Sequence, residues 1–423
     1  MPLTKVSFSV IQVANNVTST TVGNTTSIPS FTFDQNGVIT SASNTAISGA
    51  GITANTIANS AFQTGSIENY SRATGLLSGM RNKIINGAMV IDQRNAGAAV
   101  TPTADATYTL DRWKARLTQS SKYSVQQNAG SVTPPAGFTN YLGVTSLSAY
   151  SVSASDFFVI QQVIEGFNFA DLGFGTANAK TITISFWVRS SLTGTFGGSV
   201  YNDGGSRNYP FTYTISSANT WEQKSITIAG DTSGTWETTS GAGLQLQIGL
   251  GVGSTYSGTA GAWSATNYLS ATGATSVVGT NGATFYITGV QLEVGSTATS
   301  FDYRPYGTEL QLCQRYYQKT YDVGTVPGTT YNFEYAAPAT AIGTGNFGMP
   351  CGRSFLVAMR ATPTITTYDG LGNAGRIAQW SVGNNQSYGS VGATQNQITA
   401  FDFGNNTTAG RHFPFAFVAS AEL

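Results

Sequence analysis

Charge is what this chain has least of. Only 9% of its residues are Asp, Glu, Lys or Arg, against ~25% in ordinary soluble proteins. The 20 basic residues balance the 20 acidic ones, so no attraction to nucleic acid or to an anionic membrane is implied. Histidine is scarcer still. His412 stands alone, which excludes a zinc site built on several histidines and leaves any Ser–His–Asp triad dependent on one residue. His412 sits at the head of an alternating strand, where a packing role is expected. Cys313 and Cys351 are the only cysteines, too few for a disulfide framework and wrongly spaced for a metal knuckle. Cys313 falls on an apolar helical stripe, so a buried free thiol is expected there, with pairing to Cys351 left open. No run of 18 apolar residues exists, so nothing reads as a membrane-spanning helix. Residues 6–14 follow Lys5 faintly like a signal peptide, but Ser7, Ser9 and Gln12 interrupt them. No G-x-S-x-G elbow, Walker motif or calcium loop occurs. A G-x-G-x-x-G string at 343–348 is followed at once by Pro350 instead of a helix, and reads as glycine coincidence. No cofactor and no metal are expected.

What fills the space is small and neutral. Gly contributes 49 residues, and Ser, Thr and Asn are plentiful. Between 6 and 67 the only charged residue is Asp34, and from 238 to 292 there is none. Hydroxyls and amides keep such a surface soluble, as in secreted or virion-type β-proteins. Against this background five large apolar residues recur at intervals of five: Ile47, Ile52, Ile57, Phe62 and Ile67. A strand repeats every two residues and a helix every 3.6, so neither keeps this stripe on one face. One copy has nothing to bury the stripe against. The spacing predicts a fibrous segment wound with further copies of the chain.

Texture divides the chain into stretches. The expectation is a mainly β protein with a fibrous N-terminal stalk, an antiparallel jelly-roll or β-sandwich domain, and a smaller C-terminal β domain. Residues 1–33 read as an attachment segment with a short strand at Val6, Phe8 and Val10, and 34–80 as the stalk. In 81–306 alternation is clear: Ile182, Ile184, Phe186 and Val188 face one way, as do Leu244, Leu246, Ile248 and Leu250. In 285–294 the phase switches at Gly289, which predicts a β-bulge. A helix over 307–319 carries Leu310, Cys313 and Tyr317 on one stripe, with Thr308 and Gln311 as a capping box. Residues 320–423 return to strands, including Phe413, Phe415 and Phe417.

Two blocks are specific. Residues 81–116 read RNKIINGAMVIDQRNAGAAVTPTADATYTLDRWKAR, and 285–319 read FYITGVQLEVGSTATSFDYRPYGTELQLCQRYYQK. They resemble the core of bacteriophage tail-fibre and receptor-binding proteins, including those of cyanophages. ISFWVRSSLTGTFGGSVYN between them resembles inner strands of carbohydrate-binding-module jelly rolls. The final ASAEL matches in texture only. The resemblance implies a homotrimeric virion fibre, made in the host cytoplasm. Its N-terminus would join tail or baseplate proteins and its distal domains would meet host cell-surface polysaccharide. A tailspike-like depolymerase and a structural decoration or collar fibre without glycan binding are the alternatives.

Sugars stack on aromatic rings and bond to amides and carboxylates, which makes Trp236, Tyr256, Trp263 and Trp187 the carbohydrate-binding candidates. Trp236, Tyr256 and Trp263 fall in Gly/Ser/Thr-rich segments expected to be exposed. Trp187 lies opposite the core-facing Phe186 and Val188, as a sugar platform or a subunit contact. Trp113 reads as a core anchor, with Arg112 paired to a carboxylate. For hydrolysis, Asp231 with Glu237 or Glu165 with Asp171 could supply two carboxylates. With one histidine and no nucleophile motif, no enzymatic activity is expected.

Overall fold

A computed structural model describes residues 27–46 apart from 36 and 38, together with 80–332, 337–340, 348–379, 383–402 and 411–423. The chain divides into two compact units, residues 1–74 and 75–423. In the first, β1 (Ser27–Phe33) pairs antiparallel with β2 (Ile39–Ala46). Their turn is closed by Gly37 N donating to Asp34 O at 3.0 Å, with Gly37 at φ 78°, a conformation glycine adopts without strain. The boundary drawn at residue 34 therefore falls inside a hairpin turn. Phe33 lies opposite Ile39, and Phe31 opposite Ala42. Cross-strand partners and i, i+2 neighbours share a face, so Phe31, Phe33 and Ile39 stand together, and all three are exposed. The proposed strand at Val6–Val10 and the stripe Ile47, Ile52, Ile57, Phe62 and Ile67 lie outside the described residues.

The second unit is built on an antiparallel sandwich. Its strands are β3 (Thr107–Leu110), β4 (Trp113–Leu117), β5 (Tyr123–Gln127), β6 (Leu142–Ser146), β7 (Phe157–Glu165), β8 (Ile182–Ser190), β9 (Gly194–Tyr201), β10 (Asn208–Ile215), β11 (Glu222–Ile228), β12 (Ala242–Val252) and β15 (Thr284–Val294). Two short parallel strands, β13 (Ser257–Gly258) and β14 (Ser270–Ala271), lie between β12 and β15. One sheet runs β10-β9-β12-β7-β4-β3 and the other β11-β8-β15-β6-β5. The alternation seen in the sequence is the sandwich itself: Ile182, Ile184, Phe186 and Val188 from one sheet and Leu244, Leu246, Ile248 and Leu250 from the other share one core. The bulge is where the phase switch placed it. Register against β8 shifts between Thr288 and Gln291, and Gly289 has φ 61°. A Cβ there would sit 2.5 Å from the Phe138 ring, so glycine also makes room for that side chain.

The helix spans Tyr306–Gln314, shorter than 307–319, because Tyr317–Lys319 forms β16. The capping box is corrected. The N-cap residue is Pro305, without a side-chain cap bond, since the helix begins two residues before Thr308. Cys313 is buried and both cysteines are free. The C-terminal strands are β17 (Ala337–Thr340), β18 (Gly348–Ser354), β19 (Thr364–Tyr368), β20 (Ile377–Gln379), β21 (Gly383–Gln386), β22 (Ser390–Ala393), β23 (Gln397–Asp402) and β24 (His412–Ser420). The long strand β24 pairs with β16, β17 and β19. Phe413, Phe415 and Phe417 enter a core of their own with Met359, Ile377, Ile398 and Phe401. The region nevertheless belongs to one compact unit with the sandwich.

The two sequence blocks and the C-terminal residues converge where these parts join. Trp113 is fully buried and its indole N–H donates to Asn86 O at 3.0 Å. Arg112 pairs with Glu422, as does Arg94 at 2.5 Å. Arg112 lies 3.6 Å from the Tyr316 ring centroid and Arg94 3.8 Å from that of Tyr317. Arg360 ties the same segment down, donating to Ala421 O at 2.8 Å and to Ser240 O of the sandwich at 2.7 Å. Thus the Asp-Arg-Trp, Gln-Arg-Tyr-Tyr and Ala-Glu-Leu strings meet in one buried polar joint.

Another buried carboxylate makes the stability of the sandwich depend on pH. Asp156 accepts from Tyr150 Oη at 2.7 Å, Thr118 Oγ1 at 2.9 Å, Ser153 N at 3.0 Å and Gln119 Nε2 at 3.3 Å. Burial pushes its pKa up, but these donors outweigh burial and hold it at about 2. A depressed carboxylate stabilises the fold above its unfolded pKa, here 3.8, and the contribution is lost as pH falls through the folded value. Asp156→Asn is therefore expected to flatten the decline of melting temperature between these two pH values. An unchanged slope would contradict this.

Candidate functional site

The outer face of the six-stranded sheet is polar where the inner face is apolar. Register places Lys114 opposite Gln161, Gln161 opposite Gln247, and Gln245 opposite Tyr201, so these side chains project from one surface. Three of them hold one another. Gln161 Nε2 donates to Tyr201 Oη at 2.7 Å and to Gln245 Oε1 at 2.8 Å. Arg116, two residues along from Lys114, is held by Asp105 at 2.8 Å. Lys114 Nζ donates to Leu423 O at 2.7 Å. Burial first, and then the Arg116 and Arg112 cations, lower the Lys114 pKa to about 8.

Above this surface opens a cavity of 370 Å³ lined by Lys114, Arg116, Tyr201, Asp203, Gln245 and Asn267 among others. Asp203 and Asn267 are exposed on its rim. Deeper along the same face β14 lies directly on the sheet. A Cβ at Gly197 would stand 2.5 Å from Ser270 Oγ, and one at Gly249 2.8 Å from it, so two glycines allow this approach. The Ser199 and Ser270 hydroxyls have no hydrogen-bond partner among the described residues. The arrangement offers amide, hydroxyl and cationic groups whose directions are fixed by mutual bonds. Chemically it is suited to a hydroxyl-rich ligand.

The residues singled out in the sequence are dispersed. Tyr256 is half-buried on this same side, edge-on to Phe157 at 5.4 Å and grouped with Tyr201 and Leu269. Trp187 is half-buried on the outer face of the other sheet, opposite Gln223. Trp236 requires correction: it is only 6% exposed. Its ring packs against Phe169 at 5.3 Å and Phe174 at 5.0 Å, since burying a large apolar ring against other rings outweighs leaving it in water. Trp263 is half-buried against it at 5.7 Å, its indole N–H bonded to Ala229 O at 2.8 Å. Both loop indoles point inward.

The four carboxylates considered for hydrolysis are held in local contacts. Asp231 takes two bonds from Arg207 at 2.7 Å, and Asp171 two from Lys83 at 2.9 Å. Glu165 accepts from Arg315 and from Tyr316 Oη, and Glu237 folds back onto Thr239 N at 2.6 Å. His412 is exposed at the start of β24, with Nδ1 3.0 Å from Thr340 Oγ1, which corrects the expected packing role. Among the described residues no group of three His, Cys, Asp or Glu is placed to hold a metal. The polar face itself was missed by sequence reading, although Gln245 and Gln247 alternating with Leu244, Leu246 and Ile248 marked one strand of it.

No family model matches the chain, and no curated protein matches it. Among solved structures it is similar to the enzymatically active domain of bacteriophage CBA120 tailspike protein 4, at 11% identity and TM-score 0.29, over 52% of this chain and 22% of that one. It is also similar to a family 11 carbohydrate-binding module from Clostridium thermocellum in complex with a β-1,3-1,4-mixed-linked tetrasaccharide, at 12% identity and TM-score 0.24, over 46% of this chain and 96% of that one. A third match is a family 61 carbohydrate-binding module in complex with β-1,4-galactotriose, at 11% identity and TM-score 0.26, over 51% and 99%. At these TM-scores the likenesses establish neither a family nor a ligand.

Proposed function

We propose that this chain is the glycan-binding fibre of a phage virion, attaching through its sandwich to host cell-surface polysaccharide. The observation that carries the binding half is the 370 Å³ cavity lined by Tyr201 and Gln245, which the buried Gln161 beneath them fixes through hydrogen bonds to both. Fixed amides and hydroxyls lose little freedom on meeting sugar hydroxyls, which favours their use as a binding surface. Gln245→Ala and the rim variant Asn267→Ala are expected to weaken binding to a printed array of bacterial surface polysaccharides by ~10-fold each, the value of about one buried hydrogen bond. Melting temperature measured alongside should stay constant for Asn267→Ala. Retention of full binding by both variants would remove the cavity from the account.

The fibre half rests on the resemblance and on the hairpin. A lone two-stranded hairpin is marginal in water, and this one exposes Phe31 and Phe33, the latter at 58%. Burial of that face by other copies fits the wound stalk read from the five-residue repeat, and threefold symmetry follows from the resemblance. Sedimentation is expected to give three times the chain mass, reduced in Phe31→Ser/Phe33→Ser. A stable monomer at micromolar concentration would sink the assembly. The N-terminal region would then bind tail or baseplate proteins. The reading includes no hydrolytic step, so incubation with bound polysaccharide should leave its chain length unchanged.

A further inference from the structure

The opposite face of the sandwich carries an aromatic strip that the polar cavity does not use. Trp187 projects outward from β8, with Gln223 of β11 and Thr288 of β15 as its cross-strand partners. Beside it stand three rings in mutual contact. Phe138 and Phe301 are 5.2 Å apart, Phe301 and Tyr303 4.7 Å, and Phe138 and Tyr303 5.3 Å. They come from two distant segments and meet over Gly289, the bulge glycine whose missing side chain admits Phe138.

These three rings form a ridge between two cavities. On one side a 200 Å³ cavity is walled by the ridge and by Trp187, Ser185, Gln223 and Thr299. On the other a 260 Å³ cavity is walled by the same rings with Tyr306, Asn82 and Asp302. Tyr303 is 54% exposed and Tyr306 53%. Large rings left this open on a folded surface commonly mark an interaction site. Between them lie hydroxyl and amide groups, and the Trp187 cavity has no charged residue in its wall.

We infer that this strip is a second saccharide site, taking consecutive residues of an extended neutral glycan chain across the Phe138–Phe301–Tyr303 ridge. Rings stack on the C–H faces of sugars while Gln223, Ser185 and Thr299 meet hydroxyls, which is the pairing neutral polysaccharide needs. A protein partner anchored by aliphatic side chains would want a continuous apolar floor, and polar side chains break this one. The site lies on the sheet opposite Gln161, Tyr201 and Gln245, so its fate is separable from that of the proposed polar cavity.

The test is affinity electrophoresis of the full chain through gels containing mixed-linkage β-glucan, β-1,4-galactan or dextran. Retardation by at least one polymer is expected. Tyr303→Ala and Trp187→Ala should each weaken it ~3–10-fold, as loss of one stacking contact implies. Tyr303→Phe should retain it, and Tyr303→Ala should weaken it by the same factor whether or not Gln245→Ala is also present, which separates this site from the polar cavity. The exposure of Tyr303 keeps the test valid should Trp187→Ala fail to fold. No retardation by any of the three polymers, or equal retardation of Tyr303→Ala and the unaltered chain, overturns the inference. So does a change of oligomeric state in Tyr303→Ala, which would identify the strip as a contact between copies.

Discussion

Glu422→Ala is expected to cost about 3–5 kcal/mol, because it leaves two buried guanidinium groups without their shared carboxylate. The Glu422 side chain is 6% exposed, Arg112 1% and Arg94 13%, so water cannot readily replace it. Both cations also lie against tyrosine rings, Tyr316 and Tyr317, which fixes them in place and prevents escape to solvent. The loss should appear in chemical denaturation as a lowered midpoint with an unchanged slope. Glu422→Gln should recover part of it, since the amide oxygen still accepts a bond though it carries no charge. A loss below about 1 kcal/mol, the worth of an exposed pair, would mean that the joint between sandwich and C-terminal strands is dispensable.

Trp236→Ala is expected to cost a further ~3–5 kcal/mol, the usual range for deleting a buried aromatic side chain. Its ring is enclosed by Phe169, Phe174 and Trp263, and collapse of three rigid rings into the space is hindered. This follows from burial, where the sequence suggested an exposed segment for both Trp236 and Trp263. Trp263→Ala should destabilise less, being half-buried. Any binding defect in either variant must then be corrected for unfolded protein. An unchanged melting temperature for Trp236→Ala would restore the exposed-loop reading.

The contrast between Trp113 and Trp236 shows where legibility ends. Trp113 sits in an alternating strand beside Arg112, so its burial and its neighbour's need for a carboxylate follow from local pattern. Trp236 lies among Gly, Ser and Thr, whose polarity suggests solvent. Such residues also pack closely, and here they fold the indole back into the core. The same limit hid the polar face. Alternation placed Gln245 and Gln247 outside, but Gln161 and Tyr201 join them only through the order β9-β12-β7, a long-range pairing that no local period encodes. The bulge at Gly289 was legible because a phase change in a period-two pattern has few other causes. What Gly289 makes room for was not, since Phe138 arrives from a loop some 150 residues earlier in the chain. The capping box failed for a local reason: Pro305 pre-empts the N-terminus that Thr308 would have marked.

Glycan held on the sandwich face that carries Gln161, Tyr201 and Gln245 would be seen residue by residue. The most direct measurement is heteronuclear NMR of the full assembly, selectively labelled at glutamine side-chain amides, titrated with whichever array polysaccharide binds. The account predicts that the Gln161 and Gln245 amide signals shift together and saturate at one ligand concentration, while the inward-facing Gln162 amide stays still. Saturable binding that leaves the Gln161 and Gln245 signals unmoved would contradict it.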